Sequence, residues 1–458
     1  RVGGRTVSTE VPAANGVDRW DFGGQWVGRI QTSDHVFNHK KGLASLSAPK
    51  HTSLELIKEL GLETFPQFNV GKKVYHMGGP GAKVRTYRTS IPTLSPVVLM
   101  DLTQFLWKID RLCSTVCVHD PLRTPNAVEL DSMTLHSYTE QHAWTTNLKE
   151  EMGICSRSIF GMEPSQMSFL FFLMYAAAAG GVLPLLESTP GSAQELKIKG
   201  GTQQLSECLA ERVGWKNVRL GSAVTAIWQD AEWARVTTAT ASFLCRAVIV
   251  TCPPHLAGQV CKGLKLNLKL WAYSGPVCTK LATDLSLKAS YSEPWTMARI
   301  LNETAKIHYQ PALPSQREFL TQNMPVGHMI KFIITYQTAF WKEKGFSGEI
   351  VTGPLSDCPF CVTFDATSPS GNAALVGFIA GHQASQWSSK EGGGRKKAVL
   401  SSLVKYLGPE ATSFIHYEEK GNYPRRILCL IGQHLAASSK AVPSWALMDG
   451  RHISKPGT

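Results

Sequence analysis

The sequence lacks the features that mark several protein classes. Its eleven cysteines are odd in number and scattered, unlike the regular framework of a small secreted disulfide protein. We therefore expect a reducing, intracellular compartment. Cys358-Pro-Phe-Cys361 is a single CxxC without a second pair or matched histidines. A zinc site would need such a second pair or such histidines, so we predict loop cysteines and no metal at this position.

The sequence also has no uninterrupted apolar run of membrane-spanning length. The best candidate, Met167–Leu186, is just long enough to span a bilayer. Gly180-Gly181 and Pro184 interrupt its last third, however. We predict a buried helix that ends at the glycines, and no membrane segment.

Positive charge is plentiful, with a net charge of +12, but it is unevenly distributed. Most of it lies in the stretches Asp34–Ser53, Cys261–Lys306 and Gly421–Thr458. None of these shows the helical or aromatic-interleaved basic pattern of a nucleic-acid-binding surface. We therefore predict that the chain does not bind nucleic acid, and the sequence leaves a homo-oligomer open.

Hydrophobic periodicity predicts a fold of the mixed α/β (α+β) class. Apolar residues at three- and four-residue steps indicate helices, and short β-branched runs indicate strands. The helix candidates are Leu54–Leu60, Val98–Val118, Met133–His142, Phe160–Ala179 and Gln203–Arg212. The strand candidates are Val218–Trp228, Arg235–Thr240, Ala247–Thr251, Met329–Tyr336 and Ala373–Ala380. Clustered helices and strands that return late indicate a discontinuous fold with a second, mixed domain.

Two glycine-rich blocks near the start of the chain are the most informative motifs. Gly3-Gly4-Arg5 is followed by Asp21-Phe-Gly-Gly-Gln-Trp-Val-Gly28. At this spacing they resemble part of the FAD-binding domain of the flavin-containing amine oxidases, the monoamine oxidase and polyamine oxidase group. The resemblance covers Arg1–Ser33, Leu54–Val260 and Ile307–Lys420.

The resemblance implies a discontinuous FAD-binding domain of the amine oxidase type, a mixed-sheet substrate domain and a helical subdomain. The implied divisions are a partial FAD-binding segment 1–33, an insertion 34–53, a substrate and helical domain 54–200, an FAD-binding segment 201–260, an insertion 261–306, a substrate-binding domain 307–420 and an unrelated tail 421–458. The insertions and the tail are interpreted as translated non-coding sequence or a wrongly assembled gene. Genuine surface insertions are the alternative.

The cofactor residues implied by the resemblance are Arg5, Gly23, Gly24, Gln25, Trp26 and Val224. Arg5 would meet the pyrophosphate, because a guanidinium donates to phosphate through two N–H groups. Glycines let a backbone approach a cofactor closely, which suits the block at Gly23. Val224 would contact the adenine end through its backbone. From the residues alone, the glycine blocks are also compatible with turns, and Val224 with a core position.

Lys331 is the most specific single candidate for a chemical role. It lies in the apolar run His328-Met-Ile-Lys-Phe-Ile-Ile-Thr-Tyr336. The resemblance implies that it holds a water against flavin N5 and assists reoxidation by dioxygen. A buried lysine has a lowered pKa and is suited to proton transfer. An exposed lysine on an alternating strand is the alternative.

The substrate cavity implied by the resemblance would include Leu186, Gln194 and Phe378, with an amide from Gln194 beside the substrate. Each is also compatible with core packing. We identify no carboxylate cluster of the kind that polyamines would require. The pattern therefore favours the monoamine oxidase branch, whose mitochondrial location is implied by family analogy alone.

The implied function is FAD-dependent oxidation of an amine to an imine, hydrolysis to an aldehyde, and release of hydrogen peroxide from dioxygen. The G-x-G-x-x-G motif and the closing W-x-G-Y-x-x-G-A segment of the family do not occur in residues 1–458. Pyrophosphate binding depends on a helix N-terminus after such a glycine motif. The alternative expectation is therefore a non-catalytic, flavin-free remnant of an amine oxidase or the product of a wrongly assembled gene.

Overall fold

The structure is a computed structural model that describes residues 1–28, 53–79, 81–89, 91–92, 94–258 and 307–422. The described residues fall into two compact units. The first contains those of 1–218 and 326–422, and the second contains those of 219–325. The glycine-rich blocks and Lys331 both belong to the first unit.

A mixed sheet forms the centre of the first unit. Its described strands are β5 (Lys72–His76), β6 (Arg85–Tyr87), β12 (Met329–Tyr336), β13 (Phe346–Thr352), β14 (Val362–Asp365), β15 (Ala373–Ala380) and β16 (Phe414–Asn422). Among the described residues these seven strands have the order β16-β12-β15-β14-β13-β5-β6. β13 and β5 are parallel, and the other neighbours with a described register are antiparallel.

The two central strands β12 and β15 are buried because both faces of the sheet are covered. All eight residues of β15 are buried, and so are seven of the eight in β12. Ile330 and Ile334 point into one core, whereas Ile333 points into another on the opposite face. A strand covered on both faces has a nearly continuous apolar sequence, which explains the run around Lys331.

Helices pack beside the sheet and form a core of their own. α2 (Pro96–Cys113) is capped by Ser95, whose hydroxyl accepts a hydrogen bond from the N–H of Val98. The helix buries Phe105 and Ile109. The other α-helices among the described residues of the unit are α1 (Ser53–Glu59), α3 (Ala127–Ser132), α4 (Leu135–His142), α5 (Thr146–Phe160), α6 (Phe169–Ala178), α7 (Val182–Leu186), α8 (Gln204–Val213), α11 (Phe340–Glu343), α12 (Gly381–Ser388) and α13 (Gly392–Leu407). Within the described ranges, no helix combines the length and hydropathy needed to cross a bilayer.

Two small sheets complete the first unit. β1 (Ser8–Ala13) and β2 (Gly16–Asp21) form an antiparallel hairpin. β7 (Leu196–Ile198) lies between β3 (Trp26–Val27) and β4 (Thr64–Pro66). The glycine-rich block that starts at Asp21 therefore connects β2 of one small sheet to β3 of the other.

The described residues of the second unit form a small sheet and two helices. Its elements are β8 (Val224–Gln229), β9 (Ala234–Thr238), β10 (Ser242–Cys245), α9 (Pro254–Ala257), β11 (His308–Gln310) and α10 (Ser315–Asn323). The four strands have the order β10-β9-β8-β11. β8 and β11 are parallel, and the remaining pairs are antiparallel.

The strands predicted at Met329–Tyr336 and Ala373–Ala380 have those same bounds in the structure. The helix predicted over Phe160–Ala179 was wrong in its first half, because Gly161 ends α5 in the left-handed region and Ser168 caps α6. The strand predicted at Ala247–Thr251 was also wrong. No described strand pairs with it, and Ile249 is exposed.

The predicted insertions 34–53 and 261–306 lie outside the described residues, except that Ser53 begins α1. Of the predicted tail, residues 421–422 end β16 and the others lie outside the described residues. The domain divisions at these positions stay predictions.

Candidate functional site

The two glycine-rich blocks are neighbours in the structure. The N–H groups of Phe22 and Gly23 donate to the carbonyl of Val7, at 2.7 and 3.1 Å, and that of Gly24 donates to the carbonyl of Arg5, at 3.2 Å. The segment after Gly4 therefore runs alongside the end of β2. These hydrogen bonds satisfy backbone N–H groups of the second block with carbonyl groups of the segment that begins at Arg5.

Close backbone approach makes Gly23 a steric requirement. A Cβ at this position would lie 1.9 Å from the carbonyl oxygen of Arg5. At Gly24, by contrast, no heavy atom would lie within 4 Å of an added Cβ. The loop is thus tight on the side facing Arg5 and open at the next residue.

A buried carboxylate that we did not predict from the sequence anchors this loop. Asp21 is 9% exposed and accepts hydrogen bonds from the Ser8 hydroxyl at 2.6 Å and from the N–H and hydroxyl of Thr202 at 2.8 and 2.9 Å. The single proton of the Thr202 hydroxyl is shared with the carbonyl oxygen of Gly24, which lies 2.7 Å away. Burial raises the pKa of Asp21, and the nearby charge of Lys331 opposes that rise. Its position at the start of the Asp21-Phe-Gly-Gly block was the available signal.

Lys331 points inward, as the apolar run around it suggested. It is 3% exposed and donates to the carbonyl oxygen of Gly23 at 3.0 Å and to Oε1 of Gln25. Both partners belong to the glycine-rich block, so the structure brings three of the predicted site residues together. Burial lowers the pKa of Lys331 to about 7, with the charge of Asp21 acting in the opposite direction. Near neutral pH the ammonium is therefore able to exchange its proton.

One row of cross-strand neighbours extends from Lys331 over four further strands. In register order it is Lys331, Phe378, Val362, Val351 and Tyr75. Neighbouring strands lie about 4.8 Å apart, so the row forms a long, mainly apolar part of the buried face of the sheet beside the lysine.

Aromatic side chains gather at the lysine end of this row. The ring of Trp26 lies 5.1 Å from that of Phe364 and 5.8 Å from that of Phe378. The Lys331 ammonium lies 5.4 Å from the Phe378 ring centroid. Trp26 is held by a 3.1 Å hydrogen bond from Nε1 to Oε1 of Gln67. The predicted cofactor residue Trp26 and the predicted substrate residue Phe378 are thus in contact.

A second buried lysine lies on β7. Lys197 is 8% exposed, and it is the cross-strand partner of Trp26. Its Nζ donates to the carbonyl of Asp365 at 3.5 Å and lies 5.0 Å from the ring of Phe65. Burial lowers the pKa of Lys197 to about 8. We did not predict it, because its apolar flanks, Leu196 and Ile198, are much shorter than the run around Lys331.

Buried acidic groups also lie on the sheet. Glu349 of β13 forms a 2.9 Å ion pair with Lys73 of β5, and both side chains are 13% exposed. Tyr75 donates to the carboxylate of Glu151. Burial raises the pKa of Glu349, and the negative charge of Glu187 adds to that effect. Sequence patterns could not reveal grouped carboxylates here, because these residues are far apart along the chain.

The other predicted site residues are placed as follows. Leu186 ends α7 and packs against the helical core. The N–H of Gln194 donates to the carbonyl of Glu187 at 3.3 Å, which brings Gln194 near the end of α7. Arg5 is exposed, and its guanidinium makes no hydrogen bond or ion pair with the described residues. Val224 begins β8 in the second unit.

The residues present fit a flavin. Nε2 of Gln25 is buried and has no hydrogen-bond partner within the described part of the chain. A buried N–H group without a partner is costly, so it is suited to donate to a polar ligand group. An added Cβ at the preceding Gly24 would meet no heavy atom within 4 Å, and the exposed Arg5 lies on the neighbouring segment. Arg5, Gly24 and Gln25 would therefore hold the cofactor through phosphate and amide contacts.

Comparison with known sequences supports this assignment. The family described as flavin containing amine oxidoreductase matches residues 1–274 and 293–429. The probable flavin-containing monoamine oxidase A of Dictyostelium discoideum is 30% identical over 90% of this chain and 74% of its own length. The flavin-containing amine oxidase A of Bos taurus is 30% identical over 92% of this chain and 66% of its own length. The chain thus spans about two thirds to three quarters of these relatives, which do not favour the flavin-free alternative.

Comparison with solved structures supports the fold. Cyclohexylamine oxidase from Brevibacterium oxydans superposes with a TM-score of 0.68 at 24% identity, covering 92% of this chain and 77% of that one. Putrescine oxidase bound to putrescine superposes with a TM-score of 0.69 at 22% identity, with the same coverage. The mixed α/β architecture is therefore that of the amine oxidases, as the sequence predicted.

Proposed function

This chain belongs to the flavin containing amine oxidoreductase family, and from that premise we propose that it catalyses the FAD-dependent oxidative deamination of amines. An amine, dioxygen and water would give an aldehyde, ammonia and hydrogen peroxide. The observation that carries the proposal is the buried Lys331, bound to Gly23 and Gln25 of the glycine-rich block.

Bound FAD would supply the two-electron redox chemistry. The protein would bind FAD and the amine, orient them, and exclude water from the site. Lys331 would hold or release a proton at Nζ beside the loop of Gly23 and Gln25. Its pKa of about 7 lets both protonation states be populated at neutral pH. Phe378, the cross-strand neighbour of Lys331, would present its ring to the apolar part of the amine.

The substrate proposed is a monoamine, with an arylalkyl chain as the best fit to the site. Trp26, Phe364 and Phe378 offer aromatic surface next to Lys331. Gln194 would donate or accept a hydrogen bond at the amine, and Leu186 would border the entrance to the inner cavity. For these two residues the support is the family resemblance and their joint position at the end of α7.

The test is anaerobic reduction of the FAD-loaded protein, followed by a peroxide assay after dioxygen is admitted. We expect bleaching of the flavin band by benzylamine or phenylethylamine, and peroxide in equal amount to the amine consumed. Phe378→Ala should weaken reduction by the arylalkyl amine. A matched control is Phe319→Ala, at an exposed position in the second unit.

Other outcomes would identify a different function. Bleaching by putrescine, and not by either arylalkyl amine, would replace the monoamine by a diamine substrate. If the protein folds and binds no FAD, or binds FAD that no amine bleaches, the proposed activity is wrong. The spectrum before any amine is added separates these last two cases.

A further inference from the structure

We propose that Gln67 is a positioning residue of the site: its side-chain amide fixes the ring of Trp26 beside Phe378, and with it the aromatic surface that the amine would meet. Gln67 directly follows β4 and is 4% exposed. Its effect on an amine rests on the proposed function, whereas its contacts depend only on the described residues. The residue lies outside both glycine-rich blocks, so those motifs did not indicate it.

Both ends of the Gln67 amide are bonded. Oε1 accepts from Nε1 of Trp26 at 3.1 Å. Nε2 donates to the carbonyl oxygens of Asp365 at 2.8 Å and of Phe68 at 3.0 Å, so both of its N–H groups have acceptors. The reverse orientation would set Oε1 against two carbonyl oxygens and Nε2 against the indole N–H. These partners therefore allow one orientation of the amide, in which its oxygen faces Trp26.

The carbonyl that receives the amide belongs to a well-anchored residue. Asp365 ends β14 and is 1% exposed. Its carboxylate accepts from Nε1 of Trp341 at 3.0 Å and from the hydroxyl of Thr367 at 2.8 Å, and it forms a 3.1 Å ion pair with Lys342. A buried network whose members are hydrogen-bonded is rigid. Asp365 is therefore a fixed attachment point for the Gln67 side chain.

The backbone of Gln67 contacts a further segment of the predicted site. Its N–H donates to the carbonyl oxygen of Glu195 at 2.8 Å, and Glu195 directly follows the predicted substrate residue Gln194. Two residues after Gln67, Nδ2 of Asn69 donates to the carbonyl oxygen of Ser188 at 3.0 Å. The segment that follows β4 thus connects β3, the end of β14 and residues 188–195.

The ring of Trp26 carries this arrangement to the residues beside Lys331. Its centroid lies 5.8 Å from that of Phe378, with 36° between the planes, and 5.1 Å from that of Phe364, with 77° between the planes. Aromatic pairs at these distances have preferred orientations, so a new tilt of one ring changes the surface that all three present. Loss of the Gln67 acceptor would remove the partner of the indole N–H and favour such a new tilt.

A role of Gln67 in packing alone would have different consequences. It would lower stability on substitution without a specific change at the indole of Trp26. A positioning role instead requires a change at the indole N–H and a weaker affinity for arylalkyl amines. Both changes should also depend on the presence of that N–H, since the two side chains act through one hydrogen bond.

The first test is the NMR signal of the Trp26 indole N–H in the protein without added FAD, identified by its loss in Trp26→Phe. Gln67→Met keeps the length of the side chain but removes the amide. It should shift this signal and speed its exchange with water by about tenfold or more, the scale of one lost hydrogen bond. The Trp20 indole, which donates to a backbone carbonyl at 2.8 Å, should not change. Gln204→Met is the matched control, because Gln204 also donates to two backbone carbonyls.

The second test is anaerobic reduction of the FAD-loaded protein by phenylethylamine. Gln67→Met should raise the apparent Kd of this amine about tenfold and keep the limiting rate of flavin reduction within about twofold, as expected when binding of substrate and transition state is lost equally. In a Trp26→Phe background the same substitution should add little to the apparent Kd, because the hydrogen bond is already absent.

The inference is overturned if Gln67→Met leaves the Trp26 signal and its exchange unchanged, or if the effects of Gln67→Met and Trp26→Phe on amine affinity simply add. Should Gln67→Met fail to fold, the wild type decides. Exchange of the Trp26 indole N–H as fast as that of Trp144, which is 63% exposed, would overturn the contact, and slower exchange would support it. The NMR test needs neither FAD nor an amine. A changed indole signal in a protein that oxidises no amine therefore supports the positioning of Trp26 and contradicts only the proposed function.

Discussion

Lys331 lies directly across the sheet from Phe378, and its ammonium is 5.4 Å from the centroid of that ring. The ring attracts the cation through its quadrupole, which offsets part of the cost of burying the charge. Gly23 and Gln25 supply oxygen acceptors. Lys331 is therefore held in one place by three contacts, none of which is a carboxylate.

The first prediction concerns the two half-reactions of the proposed enzyme. In the FAD-loaded protein, Lys331→Met should slow the reaction with dioxygen by about 10²-fold, the scale of a lost acid–base group. It should change the amine half-reaction much less. Methionine keeps the apolar stem but removes the charge and the donors. Stopped-flow traces with and without dioxygen separate the two rates. The control is Lys199→Met, because Lys199 is exposed and pairs with Glu63. Equal rates in Lys331→Met and in this control would assign Lys331 to packing alone.

The second prediction concerns stability as a function of pH. The pKa of Lys331 is lowered by burial to about 7, whereas in the unfolded chain it lies near 10.5. Between these values the unfolded state binds more protons, so the free energy of unfolding should rise with pH, by at most about 1.4 kcal/mol per pH unit for this residue. Lys331→Met should remove that rise and be more stable than the wild type at pH 7. Urea unfolding from pH 7 to pH 10 measures the slope. The same slope in both proteins would mean that Lys331 keeps an ordinary pKa when folded.

The inward orientation of Lys331 could be predicted because local information was sufficient there. A lysine within an apolar run of eight strand residues has no exposed face to point toward, and the glycine blocks indicated the family. The burial of Lys197 was not predicted, because β7 is only three residues long and is too short to show a pattern of apolar residues. Its burial depends on Trp26 and Asp365, which lie far away along the chain.

The ends of helices could be predicted only where capping residues were considered together with the spacing of the apolar residues. Ser168 and Gly161 together divide the apolar stretch that we predicted as one helix, Phe160–Ala179. The ion pair of Lys73 and Glu349 could not be predicted from the sequence, since it joins two parallel strands that are distant along the chain and has no local signal.

The third prediction is that Gly23 and Gly24 differ sharply in their tolerance of a side chain. Gly23→Ala would force a Cβ to 1.9 Å from the carbonyl oxygen of Arg5, so the two glycine-rich segments would have to separate. We expect a loss of about 3 kcal/mol or more in the free energy of unfolding, typical of a backbone clash at a buried contact. Gly24→Ala meets nothing within 4 Å and should cost less than about 1 kcal/mol. Thermal or urea unfolding of the two variants makes the comparison, and similar losses would contradict the close approach of Arg5.

The fourth prediction concerns the ion pair between Lys73 and Glu349, whose side chains are each 13% exposed. Removing one partner leaves a mostly buried charge without compensation, so Glu349→Leu should lower the free energy of unfolding by about 3 kcal/mol or more. Lys73→Met in the same protein removes that charge, and the double variant should recover most of the loss, because an apolar pair of similar volume replaces a costly ionic one. Urea unfolding of the wild type, both single variants and the double variant gives the coupling energy. Losses that simply add would show that the two side chains do not stabilise each other.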